Sequence, residues 1–221
     1  MRLGLLGGTF DPVHLGHLLM AESAREQCRL DQVLFVPAAV PPHKQSWHVS
    51  EAAQRIEMLE LAIGGNEAFA VSRIEIDRGG VSFTVETLAE LRRQQPESEL
   101  FLILGDDSLI DLPSWREPRK ITELATIVAC GRPGIELELT ALAGHLPAES
   151  IEAIGRHRVE MPLIGISSRE IRRRVAAGSS IRYQTPRAVE KYIESHGLYR
   201  DSRPAEASPH RPHGECARHP S

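Results

Sequence analysis

The sequence of 221 residues predicts a single-domain α/β fold, with a mostly parallel sheet covered by helices on both faces. Two observations predict it. Short apolar runs end at glycine or proline, which is typical of buried strands that leave a parallel sheet. Longer segments between these runs carry apolar side chains at helical spacing. Strands and helices that alternate in this way form a sheet with helices on both sides.

The elements can be assigned in order along the chain. The predicted strands are "RLGLLGG", "QVLFVP", "FAVSRIEI", "ELFLILG", "ATIVACG" and, more weakly, "HRVEMPLIGISS". The predicted helices are "HLGHLLMAESAREQCRL", "EAAQRIEMLELAI", "SFTVETLAELRRQ", "REIRRRVAAG" and "PRAVEKYIESHGLY". Ser50 is the expected N-cap of the second helix, and Ser82 or Thr84 that of the third, because short hydroxyl side chains accept hydrogen bonds from free helical N–H groups. The arrangement is Rossmann-like.

Residues 1–200 are expected to form this domain, and residues 201–221 are expected to be a disordered tail because they contain few apolar side chains. Within the tail His210, His213, Cys216 and His219 are three residues apart. In an extended polyproline-type conformation they would align and hold a transition metal weakly. Coincidence in a disordered tail is the favoured interpretation.

Composition excludes several classes of function. A net charge of -4 and 5% aromatic residues argue against a nucleic-acid or anionic-membrane binder, which would need a broad basic surface. The N-terminal apolar run is too short for a signal peptide, and no run approaches the roughly 18 residues of a membrane span. Three scattered cysteines do not suggest a disulfide framework. We therefore expect a cytoplasmic protein, and whether it forms homo-oligomers is left open.

The stretch "GGTFDPVHLGH" after the first strand predicts an anion site. In open parallel sheets, ligands bind beyond the carboxyl ends of the strands. Gly7 and Gly8 lead into a helix that begins near His14, so free N–H groups and the helix dipole favour negative charge there. Gly16 leaves room for an oxygen-rich ligand near the backbone. His14 and His17, three residues apart, share one helix face and can donate hydrogen bonds to phosphate.

The residues of this stretch fit three other kinds of site less well. The dinucleotide fingerprint G-x-G-x-x-G and the G-x-x-x-x-G-K-[ST] phosphate loop are both absent. A zinc site would need a third ligand and usually places histidines four residues apart on a helix. Two histidines can also simply cap a helix end. The presence of Gly7, Gly8 and Gly16 together with both histidines favours the anion site.

Two motifs resemble those of a known family. "GGTFDPVHLGH" resembles the H-x-G-H signature of the nucleotidyltransferase superfamily, and "GISSREIR" resembles its I-S-S-x-x-I-R signature. From Met1 to Tyr199 the chain is similar to bacterial nicotinate-nucleotide adenylyltransferases. The resemblance implies a Rossmann-like fold and two substrates, ATP and nicotinic acid mononucleotide, with Mg²⁺ arriving with ATP. It implies no metal bound by the protein itself and a place in NAD biosynthesis.

The resemblance also implies residue roles. Catalytic residues would be His14, His17, Lys44 and Arg172. ATP would be bound by Gly7, Gly8, Thr9, Phe10, Gly16, Gly105, Asp107, Ile166, Ser167 and Ser168. The mononucleotide would be bound by Thr84, Trp115, Arg116 and Arg132.

Several of these roles have alternatives. Lys44 could be a solvated lysine, and Trp115 could be a packed core residue. Adjacent Asp106 and Asp107 also suggest a divalent-metal site, as the lesser interpretation. Arg169 stands where the family often has Thr, and the usual Val-Pro pair before the closing helix is missing.

The implied reaction is an in-line attack of the mononucleotide phosphate on the α-phosphorus of ATP, without a covalent intermediate. No side chain is needed as a base, since the attacking phosphate is already anionic. Nicotinamide mononucleotide or pantetheine phosphate are alternative acceptors. A nucleotide-sensing protein, which would bind ATP and release no pyrophosphate, is the non-enzymatic alternative.

Overall fold

The computed structural model describes residues 1–40, 49–131, 139–162 and 164–200, and six parallel strands in these residues form one sheet. The strands are β1 Arg2–Gly8, β2 Gln32–Pro37, β3 Phe69–Val71, β4 Glu99–Gly105, β5 Thr126–Gly131 and β6 Arg158–Glu160. The helices are α1 Leu15–Gln27, α2 Ala52–Ile63, α3 Ile74–Arg78, α4 Thr84–Gln94, α5 Asp106–Asp111, α6 Pro118–Leu124, α7 Ala148–Arg156, α8 Ser168–Ala176 and α9 Arg187–His196. Short 3-10 helices cover Leu112–Ser114 and Leu139–Leu142.

The strand order is β3-β2-β1-β4-β5-β6, which confirms the predicted fold class. The chain builds outward from β1 to β3 and then returns to the other side of β1, where Leu3 of β1 lies opposite Leu100 of β4. This is the strand order of the Rossmann fold, in which the crevice between the two central strands receives the ligand. The site predicted after β1 therefore lies at the switch point of the sheet.

Alternate strand residues face two apolar layers, one on each side of the sheet. One layer packs against α1, α2, α8 and α9 and includes Leu6, Phe35, Ile103, Val128 and Val159. The other packs against α4, α5, α6 and α7 and includes Leu5, Leu34, Leu102, Ile127 and Ala129. Burial on both faces explains why these strands are almost continuously apolar in the sequence.

The predicted strand "FAVSRIEI" is wrong in its second half. Only Phe69–Val71 pair with β2, and Ile74–Arg78 form α3. The alternation is interrupted because Glu75 turns inward, where its carboxylate accepts a hydrogen bond from Thr87 Oγ1 at 2.6 Å. The residues from Ile74 onward therefore belong to a helix and not to the sheet.

Both predicted N-caps are also wrong. The N-cap of α2 is Glu51, and the side chain of Ser50 hydrogen-bonds to Tyr199 instead. The N-cap of α4 is Phe83, because the hydroxyl of Ser82 accepts from the Ala39 N–H at 2.9 Å. Tertiary hydrogen bonds have taken the place of local capping at both positions.

Several predicted features lie outside the described residues. They are the tail from Asp201, with its spaced histidines and cysteine, and the segments that contain Lys44 and Arg132. The domain boundary at residue 200 stays a prediction. In the part of the chain that the structure describes, no helix has the length and apolar character needed to cross a membrane.

Candidate active site

A cleft of about 710 Å³ lies at the carboxyl ends of β1 and β4, where the fold predicts a ligand. It brings together residues from both halves of the sheet. The sequence-predicted residues that line it are Gly7, Gly8, Thr9, His17, Thr84, Gly105, Asp107, Trp115, Arg116 and Ile166. Residues predicted for ATP and residues predicted for the mononucleotide thus border one continuous space.

The two signature histidines lie at the start of α1 and form a stacked pair. His14 is the N-cap of the helix, and its ring centroid is 3.7 Å from that of His17, with the planes 21° apart. The His14 N–H donates to His17 Nδ1 at 3.2 Å. Since Nδ1 accepts, a neutral His17 ring carries its proton on Nε2. His17 lines the cleft and can therefore offer an N–H to a ligand.

His14 is buried, with 7% of its surface exposed. Burial lowers the pKa of this imidazole from 6.5 to about 4, because the charged form loses its hydration. His14 is therefore neutral at pH 7. Its Nδ1 is buried and has no hydrogen-bond partner among the described residues. The ring acts as a neutral support for His17, and it is not a permanent cation.

The surrounding residues explain how this pair is packed. A Cβ on Gly16 would lie 3.1 Å from two atoms of the His14 ring, so the absent side chain makes room for the imidazole. The predicted role of Gly16 in ligand approach stays a prediction. Phe10, predicted as an ATP contact, has its side chain in the core at 1% exposure. Its ring packs edge-on against His17 at 5.0 Å and supports that ring from the core side.

The second signature bonds back onto the first. Ser167 is the N-cap of α8 and accepts from the Glu170 N–H at 3.2 Å. Ser168 Oγ donates to Pro12 O at 2.8 Å, and Arg172 Nη1 donates to Asp11 O at 2.6 Å. Ile166, just before α8, lines the cleft. The structure thus brings "ISSREIR" to the loop that carries the histidines.

The side of the cleft predicted for the mononucleotide is formed by α4 and the segment after α5. Trp115 lines the cleft while also packing against the apolar layer beneath α4, so it is both a core residue and a cleft residue. Arg116 lies over the ring of Phe83 at 4.7 Å and donates to Glu86 Oε1 at 2.8 Å. Thr84 is the first residue of α4, where backbone N–H groups have no helical partner.

The sequence analysis missed several residues that line the cleft. They are Met20, Glu75, Ser82, Met161 and Ile164. Glu75 and Ser82 fell in segments whose local structure was assigned incorrectly, and the apolar residues carry no chemical signal.

Asp106, which neighbours the predicted ribose-binding Asp107, also lines the cleft. Its Oδ1 is buried without a partner among the described residues, and a Cβ on Gly131 would lie 2.8 Å from that atom. Gly131 therefore makes room for the carboxylate. No cluster of three or more His, Cys, Asp or Glu side chains suited to a metal occurs within the described ranges.

Comparison with known proteins identifies the family. Residues 5–174 match the cytidylyltransferase-like family model. A protein from Thermus thermophilus named "Probable nicotinate-nucleotide adenylyltransferase" is 51% identical over 200 residues, which cover 90% of this chain and 100% of that protein. A protein of the same name from Thermomicrobium roseum is 48% identical over 199 residues, covering 90% and 92%. The chain belongs to the nicotinate-nucleotide adenylyltransferase family.

The fold agrees with this family. The structure of Plasmodium falciparum nicotinic acid mononucleotide adenylyltransferase complexed with NaAD matches with a TM-score of 0.72, covering 90% of this chain and 97% of that chain. The sequences are 17% identical, so this likeness shows the shared fold alone. The family predicted from the two signatures is confirmed. The cleft is the candidate active site of this family member.

Proposed function

We propose that this chain transfers the AMP portion of ATP to nicotinic acid mononucleotide, giving nicotinic acid adenine dinucleotide and pyrophosphate in NAD biosynthesis. One observation carries the proposal. His17 at the exit of β1, Asp107 at the exit of β4, and Trp115 line a single cleft at the switch point of the sheet. The cleft therefore offers a suitable side chain to each of the triphosphate, the adenosine and the pyridine ring.

ATP would occupy the half of the cleft near β1 and α8. The triphosphate would lie against Gly7 and Thr9 and the start of α1, where the helix dipole favours negative charge. The Asp107 carboxylate, in the first turn of α5, would accept hydrogen bonds from the ribose hydroxyls. Ile164 and Ile166 offer an apolar surface for the adenine.

Nicotinic acid mononucleotide would occupy the half formed by α4 and the segment after α5. The Trp115 ring suits stacking on the pyridine ring. The start of α4 at Thr84 presents N–H groups and partial positive charge to the nicotinate carboxylate. Arg116 stands at this rim, and the mononucleotide phosphate is assigned to Arg132, which lies outside the described residues.

The reaction follows from positioning and electrostatics. The mononucleotide phosphate attacks the α-phosphorus in line, and pyrophosphate leaves with the electrons of the broken P–O bond. His17, aligned by His14, would donate to phosphate oxygens as negative charge accumulates. Arg172 and Lys44 are assigned to the departing pyrophosphate. A guanidinium has five N–H donors, so the bond from Arg172 to Asp11 O does not exhaust it.

Mg²⁺ enters this proposal as part of the MgATP substrate, held mainly by the phosphates. A cytoplasmic location stays a prediction.

Pyrophosphate release with MgATP and each of three acceptors tests the function. Nicotinic acid mononucleotide should support the fastest release, nicotinamide mononucleotide and pantetheine phosphate much less. Faster release with the amide would contradict the assigned acceptor. Binding of ATP with no release for any acceptor would contradict enzymatic activity and favour a nucleotide-sensing protein. The His17→Ala variant is the control that ties release to this cleft.

A further inference from the structure

The loop between β1 and α1 is held at four backbone carbonyls by side chains from outside it. This histidine loop, residues 9–13, leads directly into His14. Its carbonyl partners are Arg55 Nη1 on Thr9 O at 2.9 Å, Arg172 Nη1 on Asp11 O at 2.6 Å, Ser168 Oγ on Pro12 O at 2.8 Å and Thr185 Oγ1 on Val13 O at 2.8 Å. These four hydrogen bonds fix the main chain of the five-residue loop.

The Asp11 carboxylate is bound entirely by the protein itself. Asp11 is 3% exposed, and its Oδ1 accepts from the Tyr199 hydroxyl at 2.6 Å. Its Oδ2 accepts from the Ser50 N–H at 3.2 Å. Because both oxygens are occupied and the residue is buried, Asp11 does not reach a ligand. Tyr199, which follows α9, and Ser50, which precedes α2, are thereby tied to the histidine loop.

Arg55 completes the network from α2. The residue is 2% exposed, and it donates through Nε to Ser50 O at 3.0 Å as well as through Nη1 to Thr9 O. Burial lowers the pKa of Arg55, and the nearby Asp11 carboxylate opposes that effect. Burial and the same carboxylate raise the pKa of Tyr199, so its hydroxyl stays protonated as a donor. Asp11 thus balances the positive charge of the buried Arg55 and accepts the hydrogen bond from the Tyr199 hydroxyl.

The position of both imidazoles depends on this loop. The loop ends at His14, whose N–H holds His17 Nδ1 and whose ring stacks on the His17 ring. A shift of the loop therefore moves both rings relative to the cleft. We propose that Asp11, Tyr199 and Arg55 are positioning residues for the transfer reaction, an inference that rests on the function proposed above.

The Tyr199→Phe variant tests this inference because it removes one hydroxyl and keeps the ring. Its kcat should fall about tenfold, since a misplacement of ~1 Å can cost as much as 10²-fold. The KM for nicotinic acid mononucleotide should stay within about twofold, because α4 and Trp115 form that side of the cleft. Tyr192→Phe is the matched control. Tyr192 lies on α9, and its hydroxyl bonds to Glu57 of α2 and not to the loop.

A spectroscopic measurement separates this inference from the proposed function. The stacked rings of His14 and His17 shift each other's NMR signals. In Tyr199→Phe the imidazole signals of both should move, and in Tyr192→Phe they should keep their wild-type positions. Absence of AMP transfer by the wild-type protein would refute the proposed function, whereas the imidazole signals would still test the coupling. Wild-type kcat and unmoved imidazole signals in Tyr199→Phe would overturn the inference.

Substitutions of Asp11 test whether geometry is what matters. In Asp11→Asn the amide oxygen can accept from the Ser50 N–H while its NH₂ donates to the Tyr199 oxygen. This variant should keep kcat and imidazole signals closer to wild type than Asp11→Ala, which loses both bonds. Wild-type kcat and wild-type imidazole signals in both Asp11 variants would also overturn the inference. Thermal unfolding of each variant identifies any that fails to fold, and Tyr199→Phe, the milder change, then carries the test.

Discussion

Lowering the pH should destabilise this protein through His14, by an amount that follows from its burial. The pKa of His14 is lowered from 6.5 to about 4 in the folded state. Between these values the unfolded chain binds a proton that the folded chain does not, so stability falls as the pH falls. The full difference of about 2.5 pKa units corresponds to about 3.4 kcal/mol. The loss begins near pH 6.5 and is complete below pH 4.

Urea unfolding of the wild type and of His14→Asn at pH 7.5 and 5.0 measures this term. Integration of the proton linkage between these two values gives a loss of about 2 kcal/mol in the unfolding free energy from His14 alone. Asparagine is a good N-cap, so the variant retains the start of α1 and removes the titrating ring. The wild type should therefore lose about 2 kcal/mol more than the variant.

The outcome that would contradict this reasoning is specific. If the wild type and His14→Asn lose equal free energy between the two pH values, His14 is not held neutral by burial. The exposed His145→Asn variant is the matched control. This variant keeps the buried His14 ring, so its unfolding free energy should depend on pH as that of the wild type does. If His14→Asn and His145→Asn both lost this dependence, removal of any histidine would explain the effect.

Three further outcomes are expected from the cleft. His17→Ala should lower kcat about 10²–10³-fold with a nearly unchanged melting temperature, and wild-type kcat would exclude His17 from the mechanism. Gly16→Ala should displace the His14 ring, whose atoms lie 3.1 Å from the added Cβ, and so lower kcat while the helix content seen by circular dichroism stays constant. Trp115→Ala should raise the KM for nicotinic acid mononucleotide about tenfold, given that base–aromatic stacking contributes ~1–3 kcal/mol, and Trp115→Phe should recover most of that loss. An unchanged KM in Trp115→Ala would remove the stacking role.

The central strands were predictable because their burial leaves a strong local signal. β1, β2, β4 and β5 are apolar on both faces, and each ends where glycine or proline follows or closes the run. The order of these strands in the sheet was not predictable in the same way. Pairing of Leu3 with Leu100 depends on contacts between residues far apart in the chain, and the rule for alternating elements predicts only that the sheet is mostly parallel.

The segments that failed are those where tertiary bonds override local preference. The hydroxyl of Ser82 caps nothing in α4 because it accepts from Ala39, and Glu75 turns inward to Thr87 in a segment that alternates like a strand. Helices α6 and α7 span only 7 and 9 residues and were not assigned. For Ser82 and Glu75 the deciding partner is distant in the sequence, so a local pattern does not detect it.

The sequence names candidate residues of the site, but it carries little information on their electrostatics. Spacing placed His14 and His17 on one face of α1, but it carried no information on the solvent exclusion that makes His14 neutral. Phe10 illustrates the limit. It sits inside the signature and was assigned to ATP, yet its ring lies in the core, where it supports His17. A motif thus marks which residues belong together, and packing decides which of them face the ligand.

The two signatures bond to each other, and this brings two helix N-termini to the side of the cleft that carries the histidines. Ser168, the first residue of α8, bonds to Pro12 just before α1, and a Cβ on Gly16 would lie 3.7 Å from Ile164 just before α8. The N-termini of α1 and α8 therefore converge beside the histidine loop. Each helix end carries roughly half a positive charge. No acidic residue lies in the first turn of α1, and Glu170 in that of α8 is paired with Arg173. Two converging dipoles can thus attract a triphosphate while His14 stays neutral, so the hydrogen bond from His17 can strengthen as negative charge grows along the reaction.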